Sequence, residues 1–223
     1  MTQTRLSRSI VVRVYSRLLN LGFRLLYNEM AWTYDTVSWI VSAGEWRAWQ
    51  RSALRYLDVL PGTLILELAH GTANVQRDLR SAGYDTIGLD LSRAMGRIAR
   101  RKLRHAKPIP KLVGGDARRL PFNAGQFAVI VCTFPTDFIV DPLVIGEIYR
   151  VLQPGGRLVF VSSATFTGHG AIKTILEAAY RLTGQRDSWP SDILRRFETA
   201  GFTLTTHAEP CTISVAQVLV AHK

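Results

Sequence analysis

Cysteine is nearly missing from this chain. Two occur in 223 residues, Cys132 inside an apolar run and Cys211 near the end. That number and spacing exclude a disulfide framework and a thiolate metal site, and they suit a reducing, cytoplasmic compartment. Long apolar runs are missing as well. None approaches the roughly 18 residues that a spanning helix requires, and Arg13 and Arg17 interrupt the one candidate near the start, so the expectation is a chain not integral to a membrane. Acid is the third shortage: 17 Asp and Glu stand against 28 Lys and Arg, for a net charge of +11, and no acid precedes Glu29. Residues 1–28, with five arginines and several Ser and Thr, also have the composition of an organelle transit peptide. Their apolar pattern runs on unbroken into the next segment, which ranks that reading second. There is no internal repeat and no low-complexity stretch. A length of 223 residues with 47% hydrophobic content gives one domain with a full core and an N-terminal extension.

What is present is most informative in LILELAHGTANV (residues 64–75) and TIGLDLSRAM (residues 86–95). The unbroken apolar run at 64–68 is that of a parallel strand buried on both faces. A loop of small residues follows, Ala69, Gly71 and Ala73, then a helix over residues 75–80. Small residues let a ligand approach the backbone, and a helix start offers unpaired N–H groups to an anionic group. Asp90 ends the next strand about 20 residues further on, the place of an acid that holds ribose hydroxyls. This is the pattern of a nucleotide-type site, although an acid after a strand also commonly caps the next helix.

Strands are expected at 64–68, 86–90, 111–114, 127–134 and 157–162, alternating with helices, which implies a parallel sheet. A helix over 141–152 leads into the turn Gln153-Pro154-Gly155-Gly156. The tail differs: a helix over 192–200 ends at Gly201, and strands at 202–208 and 213–221 flank Glu209-Pro210, a connection short enough to make them antiparallel. Upstream, residues 29–43 and 45–57 read as two helices separated by Gly44.

GGDARRLPF (residues 114–122) and IYRVLQPGGRLVFV (residues 148–161), taken with the two segments above, resemble the class I S-adenosylmethionine-dependent methyltransferases. The likeness is to the branch that includes the ubiquinone/menaquinone-biosynthesis C-methyltransferases and the phosphatidylethanolamine N-methyltransferases, and it runs from about Trp32 to the end. It implies an α/β fold: a Rossmann-like doubly wound sheet, mostly parallel with an antiparallel C-terminal strand, plus N-terminal lid helices. Residues 1–60 would supply amphipathic and lid helices and residues 61–223 the cofactor-binding domain.

The resemblance further implies a cofactor, S-adenosylmethionine, and a set of residues to hold it. Glu67 matches the acid that orients the loop and the amino-acid end; Ala69, His70 and Gly71 form the loop. Asp90 matches the acid on the ribose diol, with Leu91 and Met95 beside the adenine, and Asp116 the acceptor from the adenine amino group, with Ala117 next to it. Thr133 and Phe134 end the fourth strand, where the methyl group faces the substrate, and Tyr34, in AWTYD, matches the tyrosine of a lid. Two positions depart from the family pattern. Ala69 and Ala73 replace the first and third loop glycines, and where φ must be positive alanine costs about 1 kcal/mol or more.

The positive charge gathers in two stripes. Arg13, Arg17 and Arg24 share one side of a helix whose adjacent face carries Val14, Leu18, Leu21 and Leu25. Beyond an N-cap at Ser92, Arg93, Arg97, Arg100, Arg104 and Lys107 line another, opposite Met95 and Ile98. Each stripe alone reads as a solvated face; two with so few acids point to an anionic surface. An apolar face beside arginines suits a membrane surface, whereas RNA prefers aromatics interleaved with the cations. The expected acceptor is a small, lipophilic or membrane-associated molecule. RNA methylation and cofactor binding without catalysis remain alternatives.

Signatures of other methylation chemistries are lacking. The fourth strand ends CTFPTDF, not the Asn/Asp-Pro-Pro-aromatic of adenine and glutamine amide enzymes. Pro210-Cys211 falls too near the C-terminus for a cytosine C5 nucleophile, and no carboxylate cluster for a divalent metal is seen. Transfer from a sulfonium needs chiefly proximity and orientation. No catalytic base stands out, His70 and His169 reading as ordinary loop histidines.

Overall fold

A computed structural model describes residues 31–167 and 191–223. The expected basic helix of residues 1–28 and His169 lie outside the described residues.

Seven strands form one sheet: β1 (Leu64–Leu68), β2 (Asp85–Asp90), β3 (Lys111–Gly114), β4 (Phe127–Thr133), β5 (Leu152–Phe166), β6 (Thr203–Pro210) and β7 (Ser214–His222). Their spatial order is β3-β2-β1-β4-β5-β7-β6. The first five are parallel, and β7 enters antiparallel between β5 and β6. After β1 the chain builds outward through β2 to β3, then crosses back to lay β4 on the other side of β1. This reversal opens a crevice at the carboxyl ends of β1 and β4, the standard position for a ligand in a doubly wound sheet.

Alternation along the strands divides the core between two faces. Leu66, Leu68, Ile130, Cys132 and Phe160 pack with α5 (Pro142–Val151) and α6 (Ser191–Thr199) through Val144, Ile148 and Phe197. Ile65, Val129, Val131 and Val159 pack with α2 (Trp46–Ser52) and α3 (Asn74–Ser81) through Trp49, Val75 and Leu79. At the β2–β3 edge, α4 (Arg93–Leu103) buries Ala99 and Leu103 beside Leu112. Ser92 caps α4, its side chain accepting from the Met95 N–H, and Asp141 caps α5 ahead of Pro142. The lid is a 3-10 turn (Ala31–Thr33) running into α1 (Tyr34–Val41), then α2 and a second 3-10 turn (Ala53–Tyr56).

Three elements differ from the sequence reading. β6 runs through Glu209-Pro210, expected as the connection, because both residues pair with β7 opposite Ala216 and Val215. β5 starts before the expected turn and runs to Phe166, because β7 pairs along it as far as Phe166 opposite Ser214, a ladder supplied from fifty residues away. The expected turn at Gly155-Gly156 survives as an irregularity within the strand. Gly155 has φ +73°, and a Cβ at Gly156 would lie 2.9 Å from the carbonyl oxygens of Ala128 and Gln153. The single helix expected at 45–57 ends at Ser52 and tightens into the 3-10 turn, a common termination.

Candidate cofactor and acceptor site

The loop after β1 is shaped by three left-handed residues in alternation: Ala69 (φ +54°), Gly71 (φ +52°) and Ala73 (φ +66°). Two of the three are alanines, a conformation that alanine adopts only under strain. At Gly71 a Cβ would meet nothing within 4 Å, so the loop presents bare backbone to open space there. The Gly71 N–H donates to Asp90 Oδ2 at 2.8 Å and the Ser92 N–H to Asp90 Oδ1 at 2.7 Å. Each carboxylate oxygen thus takes one backbone hydrogen and keeps a lone pair for a further donor.

Glu67 lies one strand inward of Asp90, paired in register with Gly88 and 2% exposed. Its Oε2 has no hydrogen-bond partner among the described residues. Burial pushes its carboxyl up to about 8; a hydrogen bond from Gln76 opposes that shift and the nearby Asp90 charge adds to it. Burial thus favours the protonated form of Glu67. His70 is also buried, packed so closely over Gly88 that a Cβ there would come within 3.0 Å of its ring. The His70 Nδ1–H donates to the Gly71 carbonyl at 2.9 Å, and burial lowers the imidazole's proton affinity, keeping it neutral. Between His70, Asp90, Arg93, Arg100, Val113 and Gly114 is a cavity of about 40 Å³.

The other residues singled out from sequence do not line this cavity. Met95 is fully buried under the start of α4, and Leu91 is exposed at the rim. Asp116 follows β3 and turns back on its own loop, Oδ1 accepting from the Arg118 N–H at 2.9 Å; Arg118 bridges on to Asp141 at 2.7 Å. Ala117 is buried beside it. Thr133 ends β4, its Oγ1 3.4 Å from Gln50 Nε2 of α2, and Phe134 follows in a left-handed conformation, φ +49°. Tyr34 opens α1, its ring edge-on to Trp46 at 6.2 Å. The structure brings the loop, Asp90, Met95 and the lid together at one end of β1 and β2, with Thr133 across at β4. A larger cleft of about 390 Å³, between α2 and residues 209–212, shares no residue with this group.

Three features have no local signature in sequence. Asp35 of α1 accepts from Thr72 Oγ1 (2.7 Å), Asn74 Nδ2 (2.9 Å) and Lys102 Nζ (2.7 Å), and Lys102 also donates to Asn74 Oδ1 (2.8 Å). The lid is thereby clasped to the loop after β1 and to α4. Glu45 Oε2 accepts from the Ile213 N–H and Ser214 Oγ, which in turn takes the Trp49 indole hydrogen at 2.7 Å. This chain ties the lid to the β6–β7 hairpin. Finally, Trp46 stacks on Phe134 at 4.5 Å, with Trp49 and Phe166 adjoining. The Trp46 Nε1–H is buried in this aromatic wall without a partner among the described residues.

A methyltransferase-domain family matches residues 65–156. The chain is 30% identical over 200 residues to a demethylmenaquinone methyltransferase of Mycolicibacterium gilvum, covering 80% of this chain and 85% of that protein. A protein of the same name from Beutenbergia cavernae is 37% identical over 142 residues, 63% of this chain and 57% of the relative; against several such relatives the chain spans little more than half their length. Among solved structures the fold resembles Haemonchus contortus phosphoethanolamine N-methyltransferase 2, crystallised with phosphomonomethylethanolamine and S-adenosylhomocysteine. The TM-score is 0.61 at 15% identity, covering 82% of this chain and 56% of that one. The chain belongs to the class I S-adenosylmethionine-dependent methyltransferases. Its site suits that cofactor on two counts: the open space over Gly71, and a buried carboxyl at Glu67 with an unused oxygen.

Proposed function

We propose that this chain methylates a small, lipophilic aromatic acceptor, a quinone precursor in its reduced form, with S-adenosylmethionine as donor. Glu67, Ala69, His70 and Gly71 hold the amino-acid end of the cofactor, and Asp90 takes the ribose hydroxyls. Leu91, Met95, Asp116 and Ala117 enclose the adenine, and Tyr34 closes the lid. The bound cofactor supplies an activated methyl group; the chain supplies alignment of that group with the acceptor at Thr133 and Phe134 and exclusion of water by the clasped lid.

One observation carries the choice of acceptor: the wall of Trp46, Phe134 and Tyr34 beside the end of β4, with a spare indole donor inside it. Flat rings stack on such a wall, and a buried Trp N–H ordinarily finds an acceptor, here a ring oxygen of the substrate. The names of the relatives favour the same class. The composition of residues 1–28, five arginines among apolar residues with no acid, supports recruitment to the anionic membrane in which such an acceptor dissolves.

Incubating the full chain with methyl-labelled S-adenosylmethionine and cell extract, then separating lipid, RNA and protein, tests the reading. Label is expected in a lipid-soluble aromatic product. Label confined to RNA or protein would overturn it.

A further inference from the structure

The outer side of α4 and the lid has a composition unlike a solvated face. At ~100° per residue, Arg93, Arg97, Arg100 and Arg104 fall within about 60° of one another, and Arg101 lies about 40° further round. All five are exposed, while Met95, Ala99 and Leu103 are buried on the other side. None of the five pairs with a carboxylate among the described residues. The Ala31–Thr33 turn packs against α4, and the Lys102–Asp35 bridge joins α4 to α1, so the lid adjoins the basic helix. On the lid Trp32 is 77% exposed, Trp39 62% and Ile40 59%.

An ordinary solvated face intersperses acids among its cations and keeps tryptophan covered. A nucleic-acid surface uses aromatics for stacking but has no use for exposed aliphatics. Unpaired arginines beside exposed tryptophan and isoleucine match the boundary between headgroups and acyl chains, where indoles partition and cations meet anionic lipid. We infer that this face, Trp32, Trp39 and Ile40 of the lid with Arg97, Arg101 and Arg104 of α4, docks on an anionic lipid bilayer. The lid then meets the phase that holds the acceptor, an inference resting on the lipophilic acceptor proposed above.

Vesicles of phosphatidylcholine with and without phosphatidylglycerol, some carrying brominated acyl chains, test the surface on the full chain. Anionic vesicles are expected to bind at low salt and release at high salt. Changing Arg97, Arg101 and Arg104 together to Gln lowers partitioning on the order of 100-fold, at ~1 kcal/mol per arginine. Brominated lipid quenches tryptophan fluorescence, and Trp32→Phe with Trp39→Phe removes most of that quenching while the melting temperature and cofactor affinity stay unchanged. Undiminished quenching in the double variant, undiminished partitioning in the triple variant, or displacement from vesicles by single-stranded RNA would overturn the inference. Methylation of a water-soluble 1,4-naphthohydroquinone without vesicles separates the two proposals. The triple variant retains that activity; a wild-type chain that binds vesicles yet methylates no hydroquinone leaves the surface standing and removes the proposed acceptor.

Discussion

At the residue scale the loop after β1 places alanine twice where glycine is the unstrained choice. Ala73, fully buried at φ +66°, costs about 1 kcal/mol in its left-handed conformation, partly offset because alanine restricts the unfolded chain more than glycine does. Ala73→Gly should therefore raise the melting temperature by a few degrees at most and tighten S-adenosylhomocysteine, read by thermal shift and calorimetry. Weaker binding by the glycine variant would show that the alanine is shaped to the ligand rather than tolerated. Glu67 makes a pH prediction. Its folded carboxyl, about 8, lies above the ordinary 4.5, so the folded chain holds a proton that the unfolded chain releases. That contribution is complete in acid and disappears as pH rises through about 8. Glu67→Gln should flatten the fall in melting temperature between the ordinary 4.5 and about 8; an unchanged slope would mean that the wild-type group ionises in the folded chain as it does in the unfolded one.

At the scale of elements, the lid is held by the clasp from Asp35 to Thr72, Asn74 and Lys102. Burial raises the Asp35 carboxyl, but hydrogen bonds from Lys102 and Thr72 outweigh it and hold the group below the usual carboxylate range. The stabilisation is present above the ordinary carboxylate value and is lost as pH falls through the lowered one. Because both side chains are partly exposed, the ion pair itself contributes well under 1 kcal/mol. The expected consequence of Asp35→Asn is thus a small change in melting temperature with roughly fivefold weaker cofactor binding, about 1 kcal/mol of lost loop hydrogen bonding. A large drop in melting temperature with unaltered affinity would make the clasp a folding element instead.

This is also the scale at which sequence and structure part. β1, the small-residue loop and Asp90 were legible because apolar runs, small residues and an acid at fixed spacing are local signals. The clasp was not: Asp35 and Lys102 are 67 residues apart, and Lys102 sits in a run of cations that looks uniform. The extent of β5 was hidden for the same reason, since β7 supplies its ladder. The link from Trp49 through Ser214 to Glu45 spans more than 160 residues and leaves no mark on local pattern.

At the scale of the molecule, the sheet reversal between β1 and β4 gathers the donor loop, the β2 acid, the aromatic wall and the lid at one end. No helix of the described residues is long and apolar enough to cross a membrane. Five exposed arginines, Arg93, Arg97, Arg100, Arg101 and Arg104, lie along α4 beside the lid. The account depends above all on the strand-end acid being part of the cofactor site. Calorimetric titration of the full chain with S-adenosylhomocysteine, wild type against Asp90→Ala, tests that dependence directly. Charged hydrogen bonds to the ribose contribute about 1.5 to 3 kcal/mol each, so the variant should bind at least tenfold more weakly or not at all. Equal affinity in the two proteins, or no binding by the wild type, would contradict it.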